Sequence, residues 1–118
     1  MKSLFFALDL KNDPALIQEY LDWHQKVWPE VEESFEQTGI ERVEIYHVED
    51  RLIMCLTINK EFSFEKKREY DLSHEVIQKW ESLMSTYQKP LPNTPKGEKW
   101  RLMNKVYSYS HYSDQSNH

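Results

Sequence analysis

The first forty residues show two kinds of hydrophobic pattern. A nearly continuous apolar run over 3–10 predicts a buried strand, after which Asp13 and Pro14 mark the start of a helix. Apolar residues then recur every three or four positions as far as Val27, which is typical of an amphipathic helix. Pro29 interrupts that pattern and, with the glutamates that follow it, predicts a second helix.

The rest of the pattern predicts a hairpin, a third helix and a last strand. Gly39 is expected to end the second helix, and two strands at 40–48 and 51–59 are joined by a short polar turn. A polar connection leads to a helix at about 72–88, and a linker containing prolines leads to a strand at 100–109. The order is βαββαβ, which is that of the ferredoxin-like α+β fold.

One domain is expected over residues 1–109, followed by a polar, mobile tail over 110–118. A chain of 118 residues normally builds a single core. In a ferredoxin-like sheet the helices cover only one face, and the other face needs a cover of its own. We therefore expect a homodimer in which two sheets pack face to face, a dimeric α+β barrel.

Charge and cysteine content narrow the classes of function. The formal net charge is -5, with Lys and Arg scattered among acidic residues, which argues against nucleic-acid binding. No apolar segment approaches the length that spans a bilayer, so no membrane partner is expected. Cys55 is the only cysteine, which excludes a disulfide within the chain and favours the cytoplasm.

The spacing of Tyr20 and His24 suggests an acid–base pair. Residues four apart share a helix face, so the phenol and the imidazole are expected to lie side by side. An imidazole titrates near pH ~6.5 and both accepts and donates protons, whereas a phenol, near ~10, is the better donor. Spacing alone leaves a second interpretation open, in which both are half-buried core residues satisfied by backbone groups.

A resemblance to a known family favours the catalytic interpretation. The chain resembles the L-rhamnose mutarotases nearly as far as Tyr107, most clearly in Tyr20-x-x-x-His24, Val27-Trp28-Pro29-Glu30, Glu44-Ile45-Tyr46 and Val76-Ile77-Gln78-Lys79-Trp80. The resemblance implies an isomerase that interconverts the anomers of a free 6-deoxy-hexose, a monosaccharide. Opening such a ring needs one proton placed on the ring oxygen and one removed from the anomeric hydroxyl, so no cofactor or metal is expected.

The resemblance also implies roles for individual residues. His24 corresponds to the proton donor, Tyr20 to a sugar-binding residue, and Trp80 to the first of two adjacent tryptophans that contact the sugar. Tyr46 and Trp28 are further candidates for substrate binding. An indole that stacks on the apolar face of a 6-deoxy-sugar is physically reasonable.

Two positions depart from the family pattern and bear on the choice of sugar. Glu81 stands where the second tryptophan is expected, and Val43 where an aromatic sugar contact is expected. Glu81 is either a ligand for a sugar hydroxyl or a solvated helix residue. L-Fucose is the first choice of substrate and L-rhamnose the second, because four segments are similar to a branch of the family associated with L-fucose. These segments are Phe6–Lys11, Phe62–Lys67, Tyr87–Pro92 and Gly97–Trp100.

Two other functions are compatible with the sequence. The small cofactor-free monooxygenases share the dimeric barrel fold, and a fold does not determine a function. A non-catalytic sugar-binding module is the other alternative, and it would tolerate the loss of His24. No metal site is expected, because the other histidines lack ligand spacing with carboxylates. They are His47, His74, His111 and His118.

Overall fold

Residues 1–111 are described by the structure, a computed structural model. The elements in chain order are β1 (Lys2–Leu10), α1 (Pro14–Trp23), α2 (Pro29–Gln37), β2 (Ile40–Val48), β3 (Arg51–Ile58), α3 (Phe64–Leu72), α4 (Glu75–Ser85), β4 (Gln88–Lys89) and β5 (Arg101–Leu102). The predicted tail lies outside the described residues except for Ser110 and His111. No helix in the described part of the chain is both long enough and apolar enough to cross a membrane.

β1 is the central strand of an antiparallel sheet. The strands lie in the order β2-β3-β1-β4, and β5 pairs with the same edge of β1 as β4. This is the strand order of the predicted ferredoxin-like α+β fold. Side chains alternate across a strand, so Phe6, Leu8 and Leu10 face the helices and are buried, whereas Phe5 points to the opposite face and is exposed.

Two groups of buried side chains fill the space between the sheet and the helices. The first joins α1, α2 and α4 to one end of the sheet and contains Leu10, Tyr20, Val31, Leu52, Trp80, Met84 and Tyr87. The second lies toward the other end of the sheet and contains Phe6, Ile40 and Leu56. Phe35 and Trp100 pack against both groups. The helices are therefore held on the sheet at two places, and the site described below lies between them.

Helix α1 begins as predicted but ends early. The Asp13 carboxylate accepts hydrogen bonds from the backbone N–H groups of Ala15 and Leu16, which is N-capping. The predicted extension to Val27 is wrong. From His24 onward the backbone N–H groups bond to carbonyls three residues back, so the last turn tightens and the helix stops at Trp23.

Helix α3 was missed by the hydrophobic pattern, which predicted a polar connection there and one helix over about 72–88. The structure has two helices, α3 and α4, separated at Ser73 and His74. No residue of α3 is buried, so its sequence has no apolar stripe to reveal it. The sequence did contain one signal for this helix, its N-cap residue Ser63. The Ser63 side chain accepts a hydrogen bond from the N–H of Lys66.

The predicted last strand over 100–109 is mostly wrong. Only Arg101 and Leu102 pair with β1, opposite Ala7 and Phe6. One further backbone bond joins the N–H of Met103 to the carbonyl of Phe5. Beyond it the predicted apolar anchors Val106 and Tyr107 are exposed.

Gly39 ends α2 as predicted and is needed for two reasons. Its φ is +87°, and a Cβ there would lie 2.7 Å from both Asn59 Oδ1 and the backbone nitrogen of Phe62. Gly97 is a natural control, since its φ is +89° but a Cβ there would meet nothing within 4 Å.

We predict that Gly39→Ala lowers the free energy of unfolding clearly more than Gly97→Ala does. Both variants adopt a left-handed backbone at a cost of ~1–2 kcal/mol, but only the first also forces a clash with backbone. Urea denaturation of the two variants and the wild type measures the difference. Equal losses in both variants would contradict the predicted role of the close contact around Gly39.

Candidate active site

A cavity of about 500 Å³ lies between the sheet and the helices. This size is typical of small-molecule sites. The sheet supplies an apolar wall that includes Phe6, Val43 and Met54. The polar lining comes mainly from the helices and β4, and consists of Tyr20, His24, Glu32, Ser34, Lys67, Asp71, Glu81 and Gln88. Among residues 1–111 no three His, Cys, Asp or Glu side chains are grouped so that they could hold a metal ion.

His24 owes its orientation to the end of α1. Its backbone N–H bonds to the carbonyl of Leu21, which leaves the carbonyl of Tyr20 free for the His24 ring. The ring Nδ1 lies 2.8 Å from that carbonyl oxygen. A carbonyl oxygen can only accept, so Nδ1 carries the hydrogen, and in the neutral ring Nε2 has the free lone pair.

The neutral form of His24 is the favoured one. Burial lowers the pKa of His24 below its usual 6.5, and the bond to the Tyr20 carbonyl opposes that shift only in part. The ring is half-buried, with its centre 4.4 Å from that of Tyr20 and 5.7 Å from that of Trp80. His24 therefore offers a basic nitrogen at neutral pH.

Tyr20 is held protonated. Only 2% of the residue is exposed, and burial raises the pKa of its hydroxyl to about 12, an effect that the Gln88 side chain opposes and Glu81 reinforces. Gln88 is itself buried, and its Oε1 has no hydrogen-bond partner among the described residues. A buried acceptor without a partner is costly, so this atom is suited to a ligand hydroxyl.

Trp80 forms an aromatic wall beside His24. It is 5% exposed, and its ring lies edge-on to those of Trp28 and Trp23 at 5.1 and 6.3 Å. Trp28 does not line the cavity; it forms the N-cap of α2, and its ring packs against that of Trp80. Trp23 is fixed in turn by a hydrogen bond of 3.0 Å from its Nε1 to the hydroxyl of Tyr87.

Glu81 lines the cavity and is fixed by an ion pair. Lys99 Nζ lies 2.9 Å from Glu81 Oε1, and it also donates to the backbone carbonyl of Glu81 and to Ser85 Oγ. The charge of Glu81 acts inside the cavity, since it helps to raise the pKa of both Tyr20 and Asp71. Glu81 is thus an oriented carboxylate whose side chain is still 47% exposed.

The structure does not bring Tyr46 to the cavity. Its side chain lies on the opposite face of the sheet, 58% exposed and 3.3 Å from Glu44 Oε1. The reason is a register shift in β2 between Ile40 and Arg42, which reverses the alternation that follows. Val43 faces the cavity instead.

Five polar residues of the lining escaped the sequence analysis, namely Glu32, Ser34, Lys67, Asp71 and Gln88. Lys67 and Asp71 lie on α3, the helix that was not predicted, although their spacing of four is visible in the sequence. Gln88 was assigned to the end of a helix, but it lies in β4 opposite Leu10. In the sequence Gln88 stood out only as part of the segment Tyr87–Pro92, and no role was predicted for it.

The sequence matches a known family and two named relatives. The family model described as L-rhamnose mutarotase matches residues 4–109. An L-fucose mutarotase of Xanthomonas campestris pv. campestris is 41% identical over 112 residues, which cover 93% of this chain and 90% of that protein. A UPF0734 protein of Dictyostelium discoideum is 32% identical over 120 residues, 97% of this chain and 94% of that protein.

Solved structures agree on the fold. The crystal structure of an L-rhamnose mutarotase from Formosa agariphila has a TM-score of 0.66 at 19% identity, covering 93% of this chain and 100% of that one. Tetracenomycin F2 cyclase from Streptomyces glaucescens, a polyketide cyclase, has a TM-score of 0.60 at 14% identity, covering 93% and 98%. At 19% and 14% identity these two structures confirm the α+β fold and no more. The family model and the relative of 41% identity match the amino-acid sequence itself. The chain belongs to the L-rhamnose mutarotase family.

Proposed function

We propose that the protein is a cytoplasmic aldose mutarotase that interconverts the α and β anomers of L-fucose, with L-rhamnose as the second-choice substrate. The observation that carries the proposal is the neutral His24, whose unprotonated Nε2 accompanies a protonated, buried Tyr20 in one cavity. Membership of the family and the 41% identity to a named L-fucose mutarotase support it. A single, buried and free cysteine agrees with a reducing compartment.

Both His24 and Tyr20 take part in the proposed ring opening. His24 Nε2 takes the proton from the anomeric hydroxyl while the C1–O5 bond breaks, and the Tyr20 hydroxyl donates to the ring oxygen O5 as it becomes a leaving alkoxide. With a pKa of about 12, Tyr20 is a weak acid, but it is stronger than the sugar hydroxyl that forms. The products are the open-chain aldehyde, an imidazolium and a phenolate.

Ring closure reverses both transfers on the other face of the carbonyl. After rotation about C1–C2, O5 adds to C1 and gives its proton back to Tyr20, while the His24 imidazolium protonates the former carbonyl oxygen. His24 is thus the base in one half of the reaction and the proton donor in the other. Mutarotation already proceeds in water, so a positioned acid–base pair is sufficient to catalyse it. Such a pair typically increases a reaction rate by about 10²–10⁴-fold.

Trp80 and Glu81 are assigned to substrate binding. The indole of Trp80 is rigidly supported and offers an apolar wall for the C–H face of the sugar. The Glu81 carboxylate, oriented by Lys99, accepts from a sugar hydroxyl where a second tryptophan could not. Tyr46 has no part in this proposal because it lies on the other face of the sheet.

The sheet face away from the helices is proposed as a homodimer interface. It carries exposed apolar side chains, with Phe5, Tyr46 and Val48 exposed by 46%, 58% and 64%. Two pairs of opposite charges on this face neutralise each other, Arg51 with Asp9 through two bonds and Arg42 with Glu44. An apolar surface with neutralised charge suits self-association through a two-fold axis.

We predict that His24→Ala slows the enzyme-catalysed exchange of L-fucose anomers by about a hundredfold or more, and that Tyr20→Phe slows it less. Exchange NMR of the anomeric protons, with L-fucose, L-rhamnose and D-glucose, measures this and ranks the sugars. His47→Ala is the matched control, because this exposed histidine at the end of β2 does not line the cavity. Unchanged exchange in His24→Ala would reject the mechanism.

The pH dependence follows from the neutral imidazole. Because burial lowers the pKa of His24 below 6.5, the catalysed rate is expected to stay level at neutral pH and to fall only with acidification below that value. No loss from Tyr20 is expected at mildly alkaline pH, since its pKa is about 12. A catalysed rate that instead increases on acidification would show that the imidazolium starts the reaction.

We predict that the protein is a dimer in solution and that one substitution in the proposed interface disrupts the dimer. Light scattering after gel filtration should give twice the mass of the chain, and Val48→Glu should give the monomer because it buries an unpaired charge. Leu72→Glu, an equally exposed apolar position on α3, should leave the dimer intact. A wild-type monomer, or a Val48→Glu dimer, would contradict this interface.

A further inference from the structure

Helix α3 carries an ion pair between Lys67 and Asp71. Lys67 Nζ lies 2.7 Å from both carboxylate oxygens of Asp71, and both side chains are about one-fifth exposed. Lys67 also donates to Ser34 Oγ at 3.2 Å and lies over the ring of Phe35. Both charged groups line the same cavity as His24.

The pair is held too firmly to be a chance surface contact. Ser34 is fully buried and donates its own hydroxyl hydrogen to the carbonyl of Val31, so its oxygen is oriented toward Lys67. Gln78 on α4 donates to the backbone carbonyl of Asp71 at 2.8 Å. Three helices therefore fix the two charges. Surface ion pairs of spacing four contribute little to stability and rarely have such support.

The pair and His24 line one cavity of about 500 Å³, a size typical of small-molecule sites. Tyr20 and Trp80 line the same cavity, and the charge of Glu81 acts on both Tyr20 and Asp71. A ligand in this cavity therefore has His24 and the ion pair in the same lining.

The chemistry of the pair also suits hydroxyl groups. Each Asp71 oxygen accepts one hydrogen bond from Lys67 and has capacity for another, and an ammonium has three hydrogens to donate. Burial raises the pKa of Asp71, which shows that the carboxylate is partly desolvated and so gains from a further donor. Two adjacent hydroxyls of a pyranose offer both a donor and an acceptor.

We propose that Asp71, held by Lys67, binds the sugar hydroxyls at C3 and C4 and so determines which 6-deoxy-hexose the cavity accepts. This inference rests on the mutarotase function proposed above. L-Fucose and L-rhamnose share the 6-methyl group and the reacting C1 and O5, and they differ in configuration at C2 and C4. C2 is bonded to the reacting C1, whereas C4 lies across the ring from it, so a group that reads the C4 configuration is separate from His24, and Asp71 lines the same cavity.

The test compares Asp71→Asn with the wild type on L-fucose, 3-deoxy-L-fucose and 4-deoxy-L-fucose, with KM and kcat of anomer exchange as readouts. Asp71→Asn should raise KM for L-fucose roughly tenfold and leave kcat within about twofold, because binding is lost equally in the ground and transition states. For the deoxy-sugar that lacks the bound hydroxyl, KM should be high already in the wild type and change little on substitution.

Asp13→Asn is the matched control. It removes the same charge at an exposed N-cap where Asn caps equally well, and it does not line the cavity, so KM should not change. If Asp71→Asn does not fold, Asp71→Glu moves the carboxylate while keeping the charge, and the same comparison of sugars applies.

The outcomes separate the two proposals. If the wild type accelerates exchange but the substitution changes KM equally for all three sugars, or changes only kcat or stability, Asp71 has a structural role and the inference is rejected. If the wild type accelerates no sugar, the mutarotase proposal fails and the inference fails with it. A KM effect that disappears with 4-deoxy-L-fucose supports Asp71 as the specificity-determining residue, whereas an effect that disappears only with 3-deoxy-L-fucose shows hydroxyl binding without discrimination and rejects that role.

Discussion

The hydrogen bond between His24 Nδ1 and the carbonyl of Tyr20 links the fold to the chemistry. It exists because α1 ends at Trp23, where the last carbonyls of a helix have no backbone partners, and it fixes the ring, its tautomer and the position of Nε2. Had α1 continued to Val27, the Tyr20 carbonyl would be used by the His24 backbone N–H. The early end of this helix is therefore a requirement of the site.

Burial has the same consequence for His24 and Tyr20, because it favours the uncharged form of each side chain. Burial keeps the imidazole neutral and the Tyr20 phenol protonated, so a base and an acid coexist at one pH. Trp80 excludes water from one side and is immobilised by Trp23 and Trp28. The polar groups of α3 and β4 lie around this centre and are suited to holding hydroxyls, which is a separate task from proton transfer.

The sequence predicted the elements whose signals are local. Asp13 with Pro14 marked the start of α1, and Gly39 marked the end of α2, where both space and backbone conformation demand glycine. Spacing and family resemblance also predicted that Tyr20, His24 and Trp80 would share a site and left the role of Glu81 open, and all four residues line one cavity.

What the sequence could not predict depends on tertiary structure. The orientation of Tyr46 depends on a register shift in β2, and a shift of one residue exchanges the two faces of a strand. Helix α3 has no apolar stripe and no fully buried residue, so Lys67 and Asp71 were overlooked. The last strand was overpredicted because apolar residues near Val106 do not pack on the described chain.

The most direct test of the site is a crystal structure of the wild-type protein with L-fucose bound. We predict that the anomeric oxygen lies about 2.6–3.2 Å from His24 Nε2. We also predict that the sugar ring lies against Trp80 and that O5 is within reach of the Tyr20 hydroxyl. A sugar bound outside the cavity, or bound inside it with C1 turned away from His24, would contradict the assignment of His24 as the group that moves the proton.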